Sequence, residues 1–337
     1  MSLTPDDTAE ITASLERMRL IDAGETPSLT ALTGGISSLI VRAETARGPL
    51  CVKRALPQLK VAVEWKVPVD RNRAEVGWMR IAEQAAPGSV PAILGEDGEG
   101  MAFAMTWLDP ADHPVWKTQL LDGIAEVDTA RAVAAILSRV HNACAGDSRI
   151  ARDFANDANF QAIRLDPYFG ATARVHSDLA PQLQSLIART GATRLTLVHG
   201  DVSPKNILVG PHGPLFLDAE CAWYGDPAFD LAFCMTHLFL KCVWRPAATA
   251  AYLSCFDAFA AGNLDAVGWE SAAALEERTA ALLAGMLLAR IDGKSPVEYI
   301  VDNDQKDRVR RFAREFLARP AARLAPMRDA WLREWMA

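Results

Sequence analysis

The chain has 337 residues, enough for two compact lobes or domains. Its formal net charge of −7 gives no overall positive field that would attract nucleic acid or an anionic membrane. The N-terminus is acidic and polar, and the most hydrophobic stretch, 231–244, is shorter than the ~20 apolar residues of a membrane span. We therefore expect a soluble, cytoplasmic protein without nucleic-acid or membrane partners.

The first third of the chain predicts one added helix followed by a small β-sheet. Ile11, Leu15 and Met18 recur at helical spacing after Thr4-Pro5, which predicts a helix over 5–20. Short apolar runs between glycine-rich turns then predict strands at 28–33, 38–44, 50–56, 92–94 and 101–107. A helix that is capped by Asp70 and reaches about residue 85 interrupts them.

The remaining two thirds are predicted to be mainly helical. Periodic segments lie near 126–144, 171–190, 228–241, 246–261, 270–290, 304–318 and 325–335, and one β-rich patch covers 195–220. The pattern predicts an α+β fold of two lobes. A small antiparallel sheet lobe, 1–107, is expected to precede a larger mainly helical lobe, 108–337, that carries the catalytic loops and the acceptor site.

The strongest functional signal lies in this β-rich patch. Apolar runs flank a polar loop, so His199, Asp201, Asn206 and Asp218 are expected at strand ends that face one cleft. Phosphoryl transfer needs such a set, because one carboxylate orients an incoming hydroxyl while an amide and a second carboxylate hold Mg²⁺. The alternative is a β-hairpin in which the Asp and Asn residues only cap turns.

Three linked motifs resemble the aminoglycoside phosphotransferase and choline-kinase-like family, a relative of protein kinases. They are His199-Gly200-Asp201 with Asn206, then Asp218-Ala219-Glu220, then Gly225 to Ala232, and the resemblance spans roughly 28–300. It implies a protein-kinase-like fold that uses ATP and Mg²⁺. It also implies Asp201 as the catalytic aspartate, Asn206 and Asp218 as magnesium ligands, and Glu220 as a further acid near the metal or the substrate.

The N-terminal lobe should then supply the nucleotide contacts. The turn at 33–38 offers Gly34, Gly35, Ser37 and Ser38, whose backbone N–H groups can approach phosphates. The alternative is an ordinary hairpin turn.

Two charged residues and one strand end complete the expected nucleotide site. Lys53 on a predicted strand would contact the α- and β-phosphates, with Glu75 on the following helix as its partner. By resemblance, Thr106, Trp107 and Leu108 would offer backbone hydrogen bonds to adenine.

The acceptor is expected to be a small hydroxyl compound. Gly200 stands where protein kinases have arginine, and seven residues separate Asp218 from Asp226, too few for a long activation loop. Residues 53–57, 65–75 and 219–225 are similar to methylthioribose kinases, so a methylthioribose-like sugar is the leading specific hypothesis for the acceptor.

The alternative function is a pseudokinase or nucleotide-binding regulatory module that does not transfer phosphate. Trp223 and Tyr224 either line the acceptor pocket or pack in the core.

Overall fold

The computed structural model describes residues 3–32, 38–55 and 71–336. The expected cap Asp70 and the outer ends of two predicted strands, at 33 and 56, lie outside these ranges. Within them, none of the helices combines the length and apolar character that crossing a bilayer requires. All six cysteines are buried and free.

The N-terminal lobe is a five-stranded antiparallel sheet. Its strands are β1 (Ser28–Ala31), β2 (Ser38–Thr45), β3 (Gly48–Ala55), β4 (Ile93–Asp97) and β5 (Ala102–Thr106), in the spatial order β1-β2-β3-β5-β4. Lys53 therefore lies on the central strand, opposite Ile40 on one side and Phe103 on the other.

Two helices pack against this sheet. Helix α1 (Pro5–Arg17) begins with the capping box formed by Thr4 and Asp7 and buries Ile11 and Leu15. It ends three residues earlier than the sequence predicts, because Arg19 has φ +59°, outside the right-handed helical region. Helix α2 (Arg71–Ala85) turns its inner face, which includes Glu75, toward the cleft.

The C-terminal lobe is mainly helical, as expected. Its helices are α3 (Trp116–Leu121), α4 (Val127–Cys144), α5 (Ser148–Asp153), α6 (Asp157–Phe160), α7 (Ala171–Val175), α8 (Ala180–Ala192), α9 (Ala228–Trp244), α10 (Thr249–Ala266), α11 (Ala272–Asp292), α12 (Asn303–Ala318) and α13 (Leu324–Met336). Helix α9 is apolar on nearly every side and lies at the centre of the lobe, with α10 and α11 against it.

The sequence prediction was wrong in one stretch of this lobe. The helix expected over 171–190 is two helices, α7 and α8, separated by a bend at 176–179. A wide-turn helix, Gln161–Gly170, joins α6 to α7 and contains Pro167, which cannot donate a backbone hydrogen bond.

Four short strands position the polar loops. Strands β6 (Thr196–Val198) and β9 (Trp223–Gly225) form one antiparallel pair, and β7 (Ile207–Gly210) and β8 (Gly213–Phe216) form another. The loop 199–206 therefore runs from the end of β6 to the start of β7, and Asp218 follows the end of β8. This is the strand-end arrangement that the sequence predicted.

Candidate active site

Loop 199–206, the predicted catalytic loop, is fixed by one buried carboxylate on α9. Asp230 accepts hydrogen bonds from the backbone N–H groups of His199 and Gly200, each at 2.8 Å. The Asp230 carboxylate also lies 3.1 Å from Nε2 of His141 on α4. Asp230 thus braces the loop and does not face the cleft.

His199 connects this loop to the loop that carries Asp218. The Asp201 N–H donates to His199 Nδ1 at 3.2 Å, and His199 Nε2 lies 3.1 Å from the Leu217 carbonyl oxygen. This network assigns the proton to Nε2. Burial lowers the pKa of His199, which keeps the ring neutral and suited to these two contacts.

Gly200 is required by two local constraints. Its φ is +77°, a conformation that L side chains rarely adopt. A Cβ atom at this position would also lie 2.6 Å from the backbone oxygen of Cys221. The glycine therefore allows the catalytic loop to pass close to the segment between β8 and β9.

Asp201 is buried and contacts two cations. Its Oδ2 lies 3.0 Å from Arg164 Nη2 and 3.2 Å from Lys205 Nζ. Burial alone would raise the pKa of Asp201, but the charges of Lys205 and Arg164 outweigh it and hold the pKa below its ordinary value. The carboxylate is therefore ionised at neutral pH.

Arg164 was not predicted from the sequence. It comes from the wide-turn helix Gln161–Gly170, and its Nε also donates to the Gly200 carbonyl oxygen at 2.6 Å. Lys205 lies between Asp201 and Asn206 of the first motif, but the motif did not predict that its ammonium contacts Asp201. Arg164 thus reaches the loop from another element, whereas Lys205 belongs to the loop itself.

Asn206 and Asp218 lie on adjoining loops. The Asn206 side-chain amide donates to the Asp201 carbonyl oxygen at 3.1 Å, and the Asn206 carbonyl oxygen accepts from the Leu217 N–H at 2.8 Å. Asp218 has φ +64°, an uncommon conformation for a residue other than glycine, of a kind that clusters at functional sites. These contacts fix the two oxygen-bearing side chains relative to each other.

Lys53 joins the two lobes. Its Nζ lies 2.7 Å from Glu75 Oε2 and 2.5 Å from Asp218 Oδ1. Burial opposes the charge on Lys53, but Asp218 and Glu75 together raise its pKa, so the ammonium stays charged. In the opposite sense, the lysine charge helps keep the pKa of Asp218 below its ordinary value despite burial.

The oxygens present fit a magnesium ion that is shared with a nucleotide. Within the described ranges, no group of three or more His, Cys, Asp or Glu side chains could hold a metal by itself. Mg²⁺ needs no such group, because it is commonly bound by one or two carboxylates plus phosphates and water. The Asn206 amide oxygen and the Asp218 carboxylate are donors of the right kind. Glu220 is half-buried nearby, and its charge contributes to the raised pKa of Lys53.

The remaining predicted nucleotide contacts are placed only in part. Gly34, Gly35 and Ser37 lie outside the described residues, whereas Ser38 begins β2 and is buried. At the other end of the sheet, Thr106 pairs with Ala92, since the Thr106 N–H donates to the Ala92 carbonyl oxygen at 3.0 Å. The Thr106 N–H is thus already used within the lobe.

Trp107 and Leu108 follow Thr106 directly and are half-buried, and the Arg42 guanidinium lies 4.7 Å from the centre of the Trp107 ring.

Trp223 and Tyr224 belong to the core. Trp223 stacks on Phe160 with ring centres 4.3 Å apart, and the Tyr224 hydroxyl donates to the Leu195 carbonyl oxygen at 2.9 Å.

Comparison with known proteins places these features in a family. A family model described as a phosphotransferase enzyme family matches residues 28–275, which is most of the chain and includes every predicted site residue.

Curated relatives include methylthioribose kinases. That of Bacillus pumilus is 26% identical over 223 residues, covering 58% of this chain and 55% of the relative. That of Yersinia enterocolitica is 25% identical over 236 residues, covering 61% and 58%. The chain thus spans about half the length of the curated relatives it matches.

Solved structures with the same fold include two small-molecule kinases. A choline kinase from Cryptosporidium parvum has a TM-score of 0.55 at 11% identity, with 97% of this chain and 99% of that chain covered. An amicoumacin kinase solved with AMP-PNP and Ca²⁺ has a TM-score of 0.53 at 13% identity, with 95% and 96% covered. The two-lobed kinase-like fold expected from the sequence is confirmed.

Proposed function

The chain belongs to the phosphotransferase enzyme family, and we propose that it transfers the γ-phosphoryl group of Mg·ATP to a hydroxyl of a small molecule. The observation that carries the proposal is the direct contact between the lobes. Lys53 of the sheet lobe reaches Asp218 of the helical lobe at 2.5 Å, beside Glu75. A lysine paired with a helix glutamate next to a metal-binding aspartate is the arrangement that kinases use for nucleotide phosphates.

In this proposal the two lobes have different roles. Residues 1–107 bind the nucleotide, with Lys53 on the phosphates and Glu75 holding Lys53 in place. The turn with Gly34, Gly35, Ser37 and Ser38 covers the phosphates. The backbone groups of Trp107 and Leu108 face adenine more readily than those of Thr106, whose N–H is bonded to Ala92.

Residues 108–337 supply the metal ligands and the acceptor site. Asn206 and Asp218 would hold Mg²⁺, with Glu220 as a further acid beside it. The bound ion supplies neutralisation of the charge on the phosphates. Asn206 is held by its hydrogen bond to the Asp201 carbonyl oxygen, and Asp218 by the short loop after β8, so neither ligand has to be ordered when the nucleotide arrives.

Asp201 orients the acceptor hydroxyl. The acceptor oxygen bonds to the γ-phosphorus, the bond from that phosphorus to the β–γ bridging oxygen breaks, and ADP leaves. Asp201 accepts the hydroxyl proton, for which an ionised carboxylate is needed. The contacts with Lys205 and Arg164 keep it ionised.

A coupled assay of ADP release tests this proposal. The acceptor panel contains methylthioribose, other pentoses, choline, amino alcohols, homoserine, glycerate and aminoglycosides, and Asp201→Asn protein is the blank. We expect acceptor-dependent ADP release that disappears in the variant. Mg·ATP binding with no turnover of any acceptor would favour a pseudokinase or regulatory module, and no Mg·ATP binding would overturn the proposal. A methylthioribose-like sugar is the first acceptor to try, on the similarity to the curated relatives.

A further inference from the structure

A row of side chains on α9 leads away from the catalytic loop. Phe233, His237 and Lys241 are four residues apart, which places them on one face of the helix. His237 Nε2 lies 3.2 Å from the hydroxyl of Ser203, two residues beyond Asp201. This helix face therefore extends from the catalytic aspartate into the interior of the helical lobe.

Cations surround this row. Besides burial, the positive charges of Arg290, Lys241, Lys205 and Lys117 lower the pKa of His237, so all four act on one imidazole ring. Arg164 lies at the other end, 5.9 Å from the centre of the Phe233 ring. A gap beside the row, too small for a water molecule, is lined in part by His237 and Arg290.

The carboxylates of this region do not balance these cations. Asp201 is shared by Arg164 and Lys205, and Glu298 pairs with Lys117. The Arg290 guanidinium contacts neutral groups, among them the Tyr168 hydroxyl at 3.4 Å, and its Nε has no hydrogen-bond partner among the described residues. Among the described residues, positive charge is therefore in excess along this face of α9.

Lys241 is the clearest example of a cation without an anionic partner among the described residues. It is fully buried, and its Nζ has no hydrogen-bond partner within the part of the chain that the structure describes. Its ammonium lies 3.8 Å from the centre of the Tyr299 ring, and the Tyr299 hydroxyl is likewise buried without a partner. A buried ammonium without an anion is costly, and an anionic ligand beside it would offset that cost.

We propose that Lys241 and Arg290 bind an anionic group of the acceptor, so that the substrate is a small hydroxyl compound carrying a carboxylate or a phosphate. This inference rests on the proposed phosphotransferase function and narrows its substrate class. An anion at this position lets the acceptor hydroxyl lie toward Asp201 along the helix face. Aminoglycosides and amino alcohols, which are cationic, would meet like charge at the same place.

Anion binding tests the inference independently of turnover. Calorimetric titrations with inorganic phosphate, D-glycerate and choline are made on wild-type protein with Mg·AMP-PNP present. We expect phosphate or glycerate to bind and choline not to bind. Whichever anion binds more tightly identifies the source of the negative charge.

Two variants localise the site. Lys241→Met replaces the ammonium by an apolar chain of similar length, and Lys306→Met on α12 is the matched loss of a lysine charge elsewhere. We expect anion affinity to fall at least about tenfold in Lys241→Met and to be unchanged in Lys306→Met. Equal anion affinity in wild type and Lys241→Met, or no anion binding by wild type, overturns the inference. A thermal melt of each variant shows that it is folded.

Turnover measured in parallel separates this inference from the proposed function. Anion binding that depends on Lys241, with no ADP release for any acceptor, counts against phosphotransfer and leaves the anion site standing. Turnover of choline or an aminoglycoside that is indifferent to Lys241→Met supports the phosphotransferase and overturns the anionic acceptor.

Discussion

Arg164 contacts the Asp201 carboxylate and the backbone carbonyl of Gly200 through two atoms of one guanidinium. Its Nη2 lies 3.0 Å from Asp201 Oδ2, while its Nε donates to the carbonyl oxygen of Gly200 at 2.6 Å. The arginine thus helps to orient the Asp201 carboxylate and, together with Lys205, to keep it ionised. Arg164 therefore acts as a positioning residue. The helix that carries it contains none of the three motifs found in the sequence.

Loss of Arg164 should therefore move the acidic limb of the pH–rate profile. Because the Arg164 charge helps keep the pKa of Asp201 low, Arg164→Met should raise that pKa. Activity requires the ionised carboxylate, so the acidic limb of kcat/KM should shift to higher pH. Arg174→Met, which removes an exposed arginine paired with Asp166, is the control. An unshifted limb in Arg164→Met would show that this pair does not tune Asp201.

Removal of Lys53 should destabilise the fold as well as weaken nucleotide binding. Lys53→Met leaves the buried Glu75 carboxylate without its partner, and breaking one side of a buried ion pair costs about 3–5 kcal/mol. The double variant Lys53→Met/Glu75→Gln should recover part of this loss, because no uncompensated charge remains at residue 75. Chemical denaturation measures the free energy of unfolding of each protein. Equal stability of the single and double variants would contradict the interpretation.

Gly200 offers a test of the catalytic-loop geometry. Gly200→Ala adds both a strained φ and a clash with the Cys221 carbonyl oxygen, so we expect a loss of more than about 2 kcal/mol in unfolding free energy and a large loss of turnover. Gly24 has a similar φ of +83° with open space around it. Gly24→Ala should therefore show the backbone cost alone, about 1 kcal/mol, with normal turnover. Similar losses of stability in both variants would exclude the clash.

The buried Lys241 ammonium should lower the free energy of unfolding of the wild-type protein, and more so at low pH than at high pH. Burial, with Lys117 and Arg290, lowers the pKa of Lys241 from 10.5 to about 7. Lys241→Met should then raise the unfolding free energy by several kcal/mol below pH 7, where the lysine is protonated in both the folded and the unfolded state. This gain should shrink as the pH rises from about 7 to 10.5, because the folded protein increasingly holds a neutral lysine. Denaturation curves at pH 6 and pH 9 measure it, and a gain that does not change with pH would contradict the assignment.

The catalytic groups that the sequence predicted lie in short loops whose ends are strands. His199, Asp201, Asn206 and Asp218 are separated by few residues, so local strand pairing is enough to bring them together. The Lys53–Glu75 pair was also predicted, because a central strand and the following helix face each other.

The sequence did not predict the groups that come from distant or irregular elements. Arg164 lies on a wide-turn helix with an internal proline, in a segment for which no helix was predicted. Lys241 and Arg290 are brought together by the packing of α9 against α11. Only that packing shows that Lys241 Nζ and Arg290 Nε have no hydrogen-bond partner among the described residues. Tertiary contacts of this kind leave no local pattern in a single sequence.

We propose that Lys53, Asn206 and Asp218 form one Mg·ATP site beside Asp201. Calorimetric titration of ATP with and without Mg²⁺, on wild type, Asp218→Asn and Asp201→Asn, tests it most directly because no acceptor is needed. We expect Mg²⁺ to tighten ATP binding in wild type and in Asp201→Asn, and to have little effect in Asp218→Asn. ATP binding that is indifferent to Mg²⁺ in wild type, or a full Mg²⁺ effect in Asp218→Asn, would contradict this account.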